Sequence, residues 1–237
     1  MALAIEKENY LLHKLHSLTG LLPIGYYMVQ HLVLNSFTLA GPEKFNAVIA
    51  FFEGMPKFFL LSIEIFVLWI PLLFHAVYGM FIAYRGRSNY FGSVYGWSQN
   101  LMYTLQRWTG IFLFVFLIIH IVTTTGYKYT SAEGAKVIEF DAWYTKLSSP
   151  PYLWLILYVF GVAAASYHLS YGIWNFCIRW GITVSEKSQN AVQKFSFACF
   201  ILITLIGWAA LGGFLIHGNP GTTTQVHRQT RQYLARE

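Results

Sequence analysis

Five long apolar runs, separated by shorter polar connections, set the pattern of this chain. They cover roughly Lys14–Phe37, Phe58–Tyr84, Tyr103–Thr125, Pro151–Ile178 and Val192–Ile216. A helix that crosses a hydrocarbon layer needs about 20 mostly apolar residues, and each run is long enough. The connections carry turn residues and charge: Thr38–Lys57 with Gly41-Pro42, Arg85–Met102, Gly126–Pro150 and Arg179–Ala191. The pattern predicts an all-α integral membrane bundle of five transmembrane helices over residues 1–216. A polar C-terminal tail, 217–237, follows and is expected to be flexible.

Composition agrees with the pattern. The 237 residues are 56% hydrophobic and only 11% charged, against about 25% charged in soluble domains. The net charge of +6 is spread over helix ends and loops, as interface anchors are, which speaks against a nucleic-acid surface. Cys177 and Cys199 lie within apolar runs and offer neither a disulfide framework nor metal-ligand spacing. The N-terminal stretch carries acids ahead of the first run, unlike a cleavable signal peptide, so that run is expected to remain. With the N-terminus inside, Lys plus Arg counts eight on each side. Leaving out the three arginines of the tail gives eight inside against five, which orients the N-terminus inward.

The candidate chemistry lies in four histidines set deep in apolar runs. His75 and His168 each stand four residues before a glycine, in His75-Ala-Val-Tyr-Gly79 and His168-Leu-Ser-Tyr-Gly172. Thr19-Gly20 precedes His31 by eleven residues and Thr109-Gly110 precedes His120 by ten, counted from the glycine. Runs one and three thus share one motif, and runs two and four the other. Each histidine lies seventeen residues into its run, about 25 Å along a helix at 1.5 Å per residue. Because successive helices alternate in direction, His31 and His120 fall toward the outer face and His75 and His168 toward the inner. Two layers result, roughly 15–20 Å apart on the same arithmetic. A single histidine in a span is often a helix–helix hydrogen-bonding group or a proton carrier. Four on separate helices, paired by depth and motif, point to two bis-histidine haems. Zinc or copper would be short of partners at two ligands per layer. Without a Cys-x-x-Cys-His sequence the haems are expected to be non-covalent, of b type.

Several other polar residues change the picture less. His13 and His16 sit at the inner end of run one, and Arg107 and Arg179 near inner helix ends. His16, Arg107 and Arg179 are candidates to meet haem propionates; snorkelling to headgroups is the competing role for the arginines. Interfacial positions are expected for His217 and His227. Glu64 stands eleven residues before His75, three turns away on one α-helical face and near the depth of the His31–His120 layer. An acid inside a span is costly and marks function by default, and proton exchange with a quinone is the role assigned to it. Glu53, in Phe51-Phe52-Glu53-Gly54, is a weaker candidate.

The motifs Leu15-His16-Ser17-Leu18-Thr19-Gly20, Gln30-His31-Leu32-Val33, Pro71-Leu72-Leu73-Phe74-His75-Ala76-Val77-Tyr78-Gly79, Leu105-Gln106-Arg107-Trp108-Thr109-Gly110 and Trp180-Gly181-Ile182-Thr183-Val184 resemble one family. It is the single-chain, five-helix, di-haem cytochrome b membrane anchor of bacterial succinate:menaquinone oxidoreductases, to which fumarate reductases of the same architecture are close. The resemblance covers roughly residues 10–216 and leaves the tail without a counterpart. It implies two haem b groups, with His75 and His168 matching the proximal ligands and His31 and His120 the distal ones. It also implies a flavoprotein subunit with FAD, an iron–sulfur subunit on the cytoplasmic face, menaquinone as electron acceptor, and residence in the bacterial cytoplasmic membrane. The chain would then be the non-flavin subunit of an oxidoreductase, with no dicarboxylate chemistry of its own. In the fumarate reductases an acid ahead of the second helix serves the quinone, and it aligns somewhere within Glu43–Glu53.

Two other function classes fit parts of the pattern. A self-contained di-haem reductase of the ascorbate-reducible type also spreads four ligands over four helices and would need basic substrate pockets on both faces. A histidine-lined transporter would show broken helices and repeat symmetry.

Overall fold

The computed structural model describes residues 2–86 and 98–218. Most of the connection Arg85–Met102, and the tail with His227, lie outside the described residues. Among the described residues all regular structure is helical: α1 (Ala2–Thr19), α2 (Tyr26–Asn35), α3 (Pro42–Glu53), α4 (Lys57–Ile63), α5 (Ile70–Arg85), α6 (Ser98–Ile121), α7 (Tyr127–Thr130), α8 (Phe140–Ser148), α9 (Leu153–Arg179) and α10 (Glu186–His217).

Among the described residues, four continuous helical stretches are long and apolar enough to cross a membrane: Lys57–Arg85, Gln99–Thr130, Leu153–Arg179 and Glu186–His217. They match four of the five predicted runs to within a few residues, except that the last begins six residues earlier than expected. Their surfaces are apolar outward, with Phe58, Phe66, Leu73 and Ile216 each at least two-thirds exposed, as a lipid-facing helix requires. The run at Lys14–Phe37 is helical but built differently. α1 leads into a π-helical segment at Gly20–Gly25, then α2, then a 3₁₀ turn at Ser36–Ala40. Pro23 explains the break, since it lacks an N–H and its ring crowds the carbonyl four residues back; a π turn gives that ring room.

The same device recurs in the second run. Glu64–Trp69 is π-helical just ahead of Pro71, and Val122–Gly126 is π-helical just after His120. A π turn takes up an extra residue and so rotates whatever follows by about 100°. The eleven residues from Glu64 to His75 therefore no longer amount to three α-turns, and the expected common face does not follow.

Two predicted connections hold helices. Gly41, at φ 94°, starts α3 with Pro42 at its first position, a placement proline favours because its missing N–H is not needed there. α8 occupies the last part of Gly126–Pro150.

The chain divides into two compact units, one of Met1–His31, Pro56–Ile118 and Gly161–Leu205, the other of Leu32–Met55, Ile119–Phe160 and Ile206–Glu237. In the first unit the Phe116 ring packs on Gly161, where an added Cβ would meet it at 2.4 Å, and Ser166 and Ser170 are fully enclosed. In the second, Phe45, Phe140 and Phe214 form an aromatic core, with ring centres 5.0–6.2 Å apart. There the Thr38 hydroxyl donates to the Ala210 carbonyl at 2.8 Å.

Candidate functional site

The first unit brings His75 of α5 and His168 of α9 together. Their ring centres are 6.2 Å apart and the rings stand at 86° to each other. Two imidazole nitrogens about 2 Å from a shared ion, each roughly 1.1 Å from its ring centre, would place the centres about 6 Å apart.

The hydrogen bonds around these rings select the nitrogen left for a ligand bond. Nδ1 of His75 lies 2.9 Å from the His16 carbonyl, and Nδ1 of His168 lies 3.2 Å from the Gln106 carbonyl. A carbonyl only accepts, so both rings carry their proton on Nδ1, and the Nε2 lone pairs are free to bind a metal. Thr109 donates to the Leu105 and Gln106 carbonyls at 2.8 and 3.1 Å, so its oxygen is a further acceptor for His168 Nδ1, at 3.3 Å.

This arrangement is built twice. Gly20 backs His75, and Gly110 backs His168: an added Cβ would meet the His75 ring at 2.3 Å and the His168 ring at 3.0 Å. In each case the accepting carbonyl belongs to the residue four before that glycine, His16 or Gln106. In each case the threonine beside the glycine bonds back to its own helix, Thr19 to Leu15 and His16, Thr109 to Leu105 and Gln106. The Thr-Gly pairs thus serve the histidines of the other motif. Gly79 instead borders His16 at 3.0 Å, and an added Cβ on Gly172 would meet only Gln106, at 3.9 Å. Gly20→Ala is accordingly expected to push the His75 ring out of register and remove the haem it would hold. Gly172→Ala should keep full haem content, and pyridine haemochrome quantification of both variants distinguishes them.

At the end of this unit where α5 and α9 finish, positive and orphaned polar groups gather. His16 stacks on His75 at 4.0 Å and 9°, and Tyr78 lies 5.5 Å from His13 and 5.8 Å from His16. Nδ1 of His13, Nδ1 of His16 and the Tyr78 hydroxyl are buried without a hydrogen-bond partner. The charges of Arg179 and Arg85 reach His13, and that of Arg179 also reaches His16. Arg107 donates to the carbonyls of Ala83, at 2.6 Å, and Gly86, closing the C-terminus of α5, where a cation also meets the negative end of the helix dipole. Its Nε remains buried and unpartnered. Buried donors beside cations, with no carboxylate bonded to them, suit an anionic group.

Two of the other sequence-selected residues lie in the same unit. His31 stacks on Tyr27, with centres 5.7 Å apart at 18°, and the Glu64 carboxylate is near enough to act on Tyr27 electrostatically. His120 lies in the second unit, with Nδ1 3.0 Å from the Tyr158 hydroxyl. Around it are Thr123, Trp143 and Lys146, none of them singled out by the sequence. Lys146 lies over Trp143 and Trp154, at 4.8 and 4.2 Å, and burial pushes its ammonium down to about 8. Glu53 is ion-paired with Lys128 in this unit, which gives it a structural use. His217 Nε2 bonds the Leu39 carbonyl at 3.1 Å, in keeping with an end-of-helix role.

Among the described residues no three His, Cys, Asp or Glu side chains gather as a metal cluster. A metal between His75 and His168 would need other donors, and a porphyrin supplies four nitrogens in the plane between two axial imidazoles. The residues therefore fit a haem.

Comparison with known proteins agrees. Residues 93–209 match the succinate dehydrogenase/fumarate reductase transmembrane subunit family. The succinate dehydrogenase cytochrome b558 subunit of Bacillus subtilis (strain 168) is 35% identical over 208 residues, 88% of this chain and 98% of that protein. The chain belongs to the succinate dehydrogenase membrane-anchor cytochrome b family. The sequence motifs that resembled this family are accordingly those of a member, and the apolar helices are transmembrane segments of a cytochrome b.

Proposed function

We propose that this chain is the membrane anchor of a succinate:menaquinone oxidoreductase and carries two haem b groups. His75 and His168 hold the proximal haem, and His31 and His120 the distal one. A bound haem supplies a one-electron couple. The observation that carries the reading is the pair His75–His168, with both Nδ1 protons committed to carbonyls. The distal pair rests on the shared motif and equal depth of His31 and His120, and on the buried Tyr158 hydroxyl that His120 Nδ1 meets at 3.0 Å.

Each surrounding group has a task. The carbonyls of His16 and Gln106 orient the proximal imidazoles and raise their basicity. Gly20 and Gly110 let the helices approach the rings. His13, His16, Tyr78, Arg107 and Arg179 receive propionate carboxylates as charge-assisted donors. Glu64, on the outer side with Tyr27 and His31, exchanges protons with the quinone.

The helical run from α1 through α2 forms the fifth span, with the N-terminus on the cytoplasmic side. A flavoprotein subunit with FAD and an iron–sulfur subunit dock there, and electrons pass from them through the proximal and then the distal haem to menaquinone, or the reverse in fumarate reduction. The name of the Bacillus subtilis relative, a succinate dehydrogenase cytochrome b subunit, favours this anchor over a self-contained reductase. A redox difference spectrum of the purified complex, with haem quantified per chain, tests the reading. Two six-coordinate, low-spin b haems per chain are expected, and one haem per chain would overturn it.

A further inference from the structure

Gln106 touches His168 twice. Its backbone carbonyl lies 3.2 Å from His168 Nδ1, and its side-chain Nε2 donates to the His168 carbonyl at 3.1 Å. The two bonds run in opposite directions between the same two residues, one on α6 and one on α9, both in the first unit. They close a ring that includes both the imidazole of His168 and its peptide group. The amide cannot be turned around, because its oxygen would then meet a carbonyl oxygen. Among the described residues Oε1 is buried without a partner, so the His168 carbonyl alone selects the way the amide faces. Within α9 that carbonyl accepts the N–H of residue 172 along the helix, and its second lone pair takes Nε2. A Cβ on Gly172 would lie 3.9 Å from Nε2, so even an alanine leaves the amide its place.

The other half of the pair shows what this position does. His16, like Gln106, stands four residues before the glycine that backs a ligand ring and gives its carbonyl to that ring. Its side chain also makes a second contact with the same ligand, lying flat on the His75 ring at 4.0 Å and 9°. His75 is thus held in plane by a ring, and His168 through its backbone. The need at His168 is visible in its surroundings. Its Nδ1 proton has two acceptors, the Gln106 carbonyl at 3.2 Å and the Thr109 hydroxyl at 3.3 Å. Moving the proton from one to the other turns the imidazole. The Nε2 bond ties the His168 backbone to residue 106 and so favours the carbonyl.

We propose that the Gln106 side chain is a positioning residue for His168: by holding the ligand's backbone against α6 it keeps Nδ1–H on the Gln106 carbonyl, and so sets the plane and donor strength of that imidazole. The inference rests on the reading of His168 as a haem ligand. A carbonyl acceptor on Nδ1–H makes the imidazole a stronger donor to iron, which favours the ferric state. Weakening that bond favours the ferrous state.

Gln106→Leu deletes the amide and leaves the backbone carbonyl in place. The test is a potentiometric titration of both haems in the intact complex, compared with His168→Leu, which identifies the component that His168 holds. Gln106→Leu should retain both haems and raise the reduced-to-oxidised ratio of that component about threefold at fixed potential. This is an upward shift of about 28 mV, at about 59 mV per tenfold change for one electron. The other haem should not move. Thr109→Val removes the competing acceptor, so adding it to Gln106→Leu should bring the potential back toward that of the parent, which a mere loss of helix packing would not allow. Loss of that haem alone from an assembled Gln106→Leu complex also supports the role. A potential unmoved or lowered with both haems present, equal shifts of both haems, or no recovery in the double variant would overturn it. If Gln106→Leu does not assemble, Gln106→Met is read in the same way, and failure of both to assemble would make the amide a packing group and end the proposal. Retention of both haems in His168→Leu would instead sink the ligand assignment itself, and the inference with it.

Discussion

His168→Leu should remove one of the two b haems proposed above, and His75→Leu should remove the same one. The two ring centres lie 6.2 Å apart, across the space a metal and its two axial bonds require. Leucine offers no lone pair, and the remaining imidazole holds one axial position only. Each variant also strands a carbonyl, that of Gln106 or of His16, which loses the ring N–H it accepted. Haem content should fall from two to one per chain, and electron transfer from succinate to quinone should stop. Succinate oxidation by an artificial acceptor acting at the flavoprotein should continue, provided the complex assembles. His31→Leu and His120→Leu should delete the other spectral component. If His75→Leu and His31→Leu deleted the same component, the pairing by depth would be wrong. The orientation of the two imidazoles adds a second observable, because nearly perpendicular axial planes give a low-spin ferric signal with large g-anisotropy. That signal should vanish with either proximal ligand and persist in the distal variants.

The histidines were legible because polarity in an apolar run is conspicuous: nothing else between Ile65 and Tyr84 can bind a metal through nitrogen. Their supports were only half legible. The sequence drew attention to the glycine four residues after His75 and His168, since spacing within one helix is what a sequence displays. The glycines that meet those rings, Gly20 and Gly110, come from other helices. Their signal was present as the repeated Thr-Gly pair, but repetition alone does not say which helix a pair packs against. Tyr158 carried no signal, because a tyrosine near an end of an apolar run is ordinary at a membrane interface. α3 and α8 were passed over as connections because twelve and nine residues give too few turns for a 3.6-residue period to stand out. Gly41-Pro42 marks a helix start as readily as a turn, and here it marks the start of α3. The π segments were illegible except through Pro23 and Pro71, which announce a disturbance without fixing its form.

Glu64→Gln is expected to slow quinone reduction at least tenfold, about 1.4 kcal/mol of barrier, while both haem spectra stay intact. Glu64 opens the π segment of the second span, and an acid at that depth is costly unless it is used. The π turn takes it off the α-helical face of His75, so its role does not follow from alignment with that ligand. Support comes instead from its own unit, where the carboxylate acts on Tyr27 and Tyr27 stacks on His31, a ligand proposed for the distal haem. Reduction of a quinone to its quinol takes up two electrons and two protons, so a carboxyl near the last electron carrier can supply a proton as charge arrives. Glutamine keeps the size and a hydrogen-bonding amide but cannot titrate. The variant should therefore separate proton delivery from electron delivery, with distal haem reduction by succinate unchanged and its reoxidation by quinone slowed. Replacing Glu53 should have a smaller effect on turnover, because Lys128 already holds that carboxylate. Unchanged quinone turnover in Glu64→Gln, with two haems per chain, would make Glu64 a structural partner of Tyr27. Equal slowing in Tyr27→Phe would mean instead that the proton reaches the quinone through the phenol rather than directly from the acid.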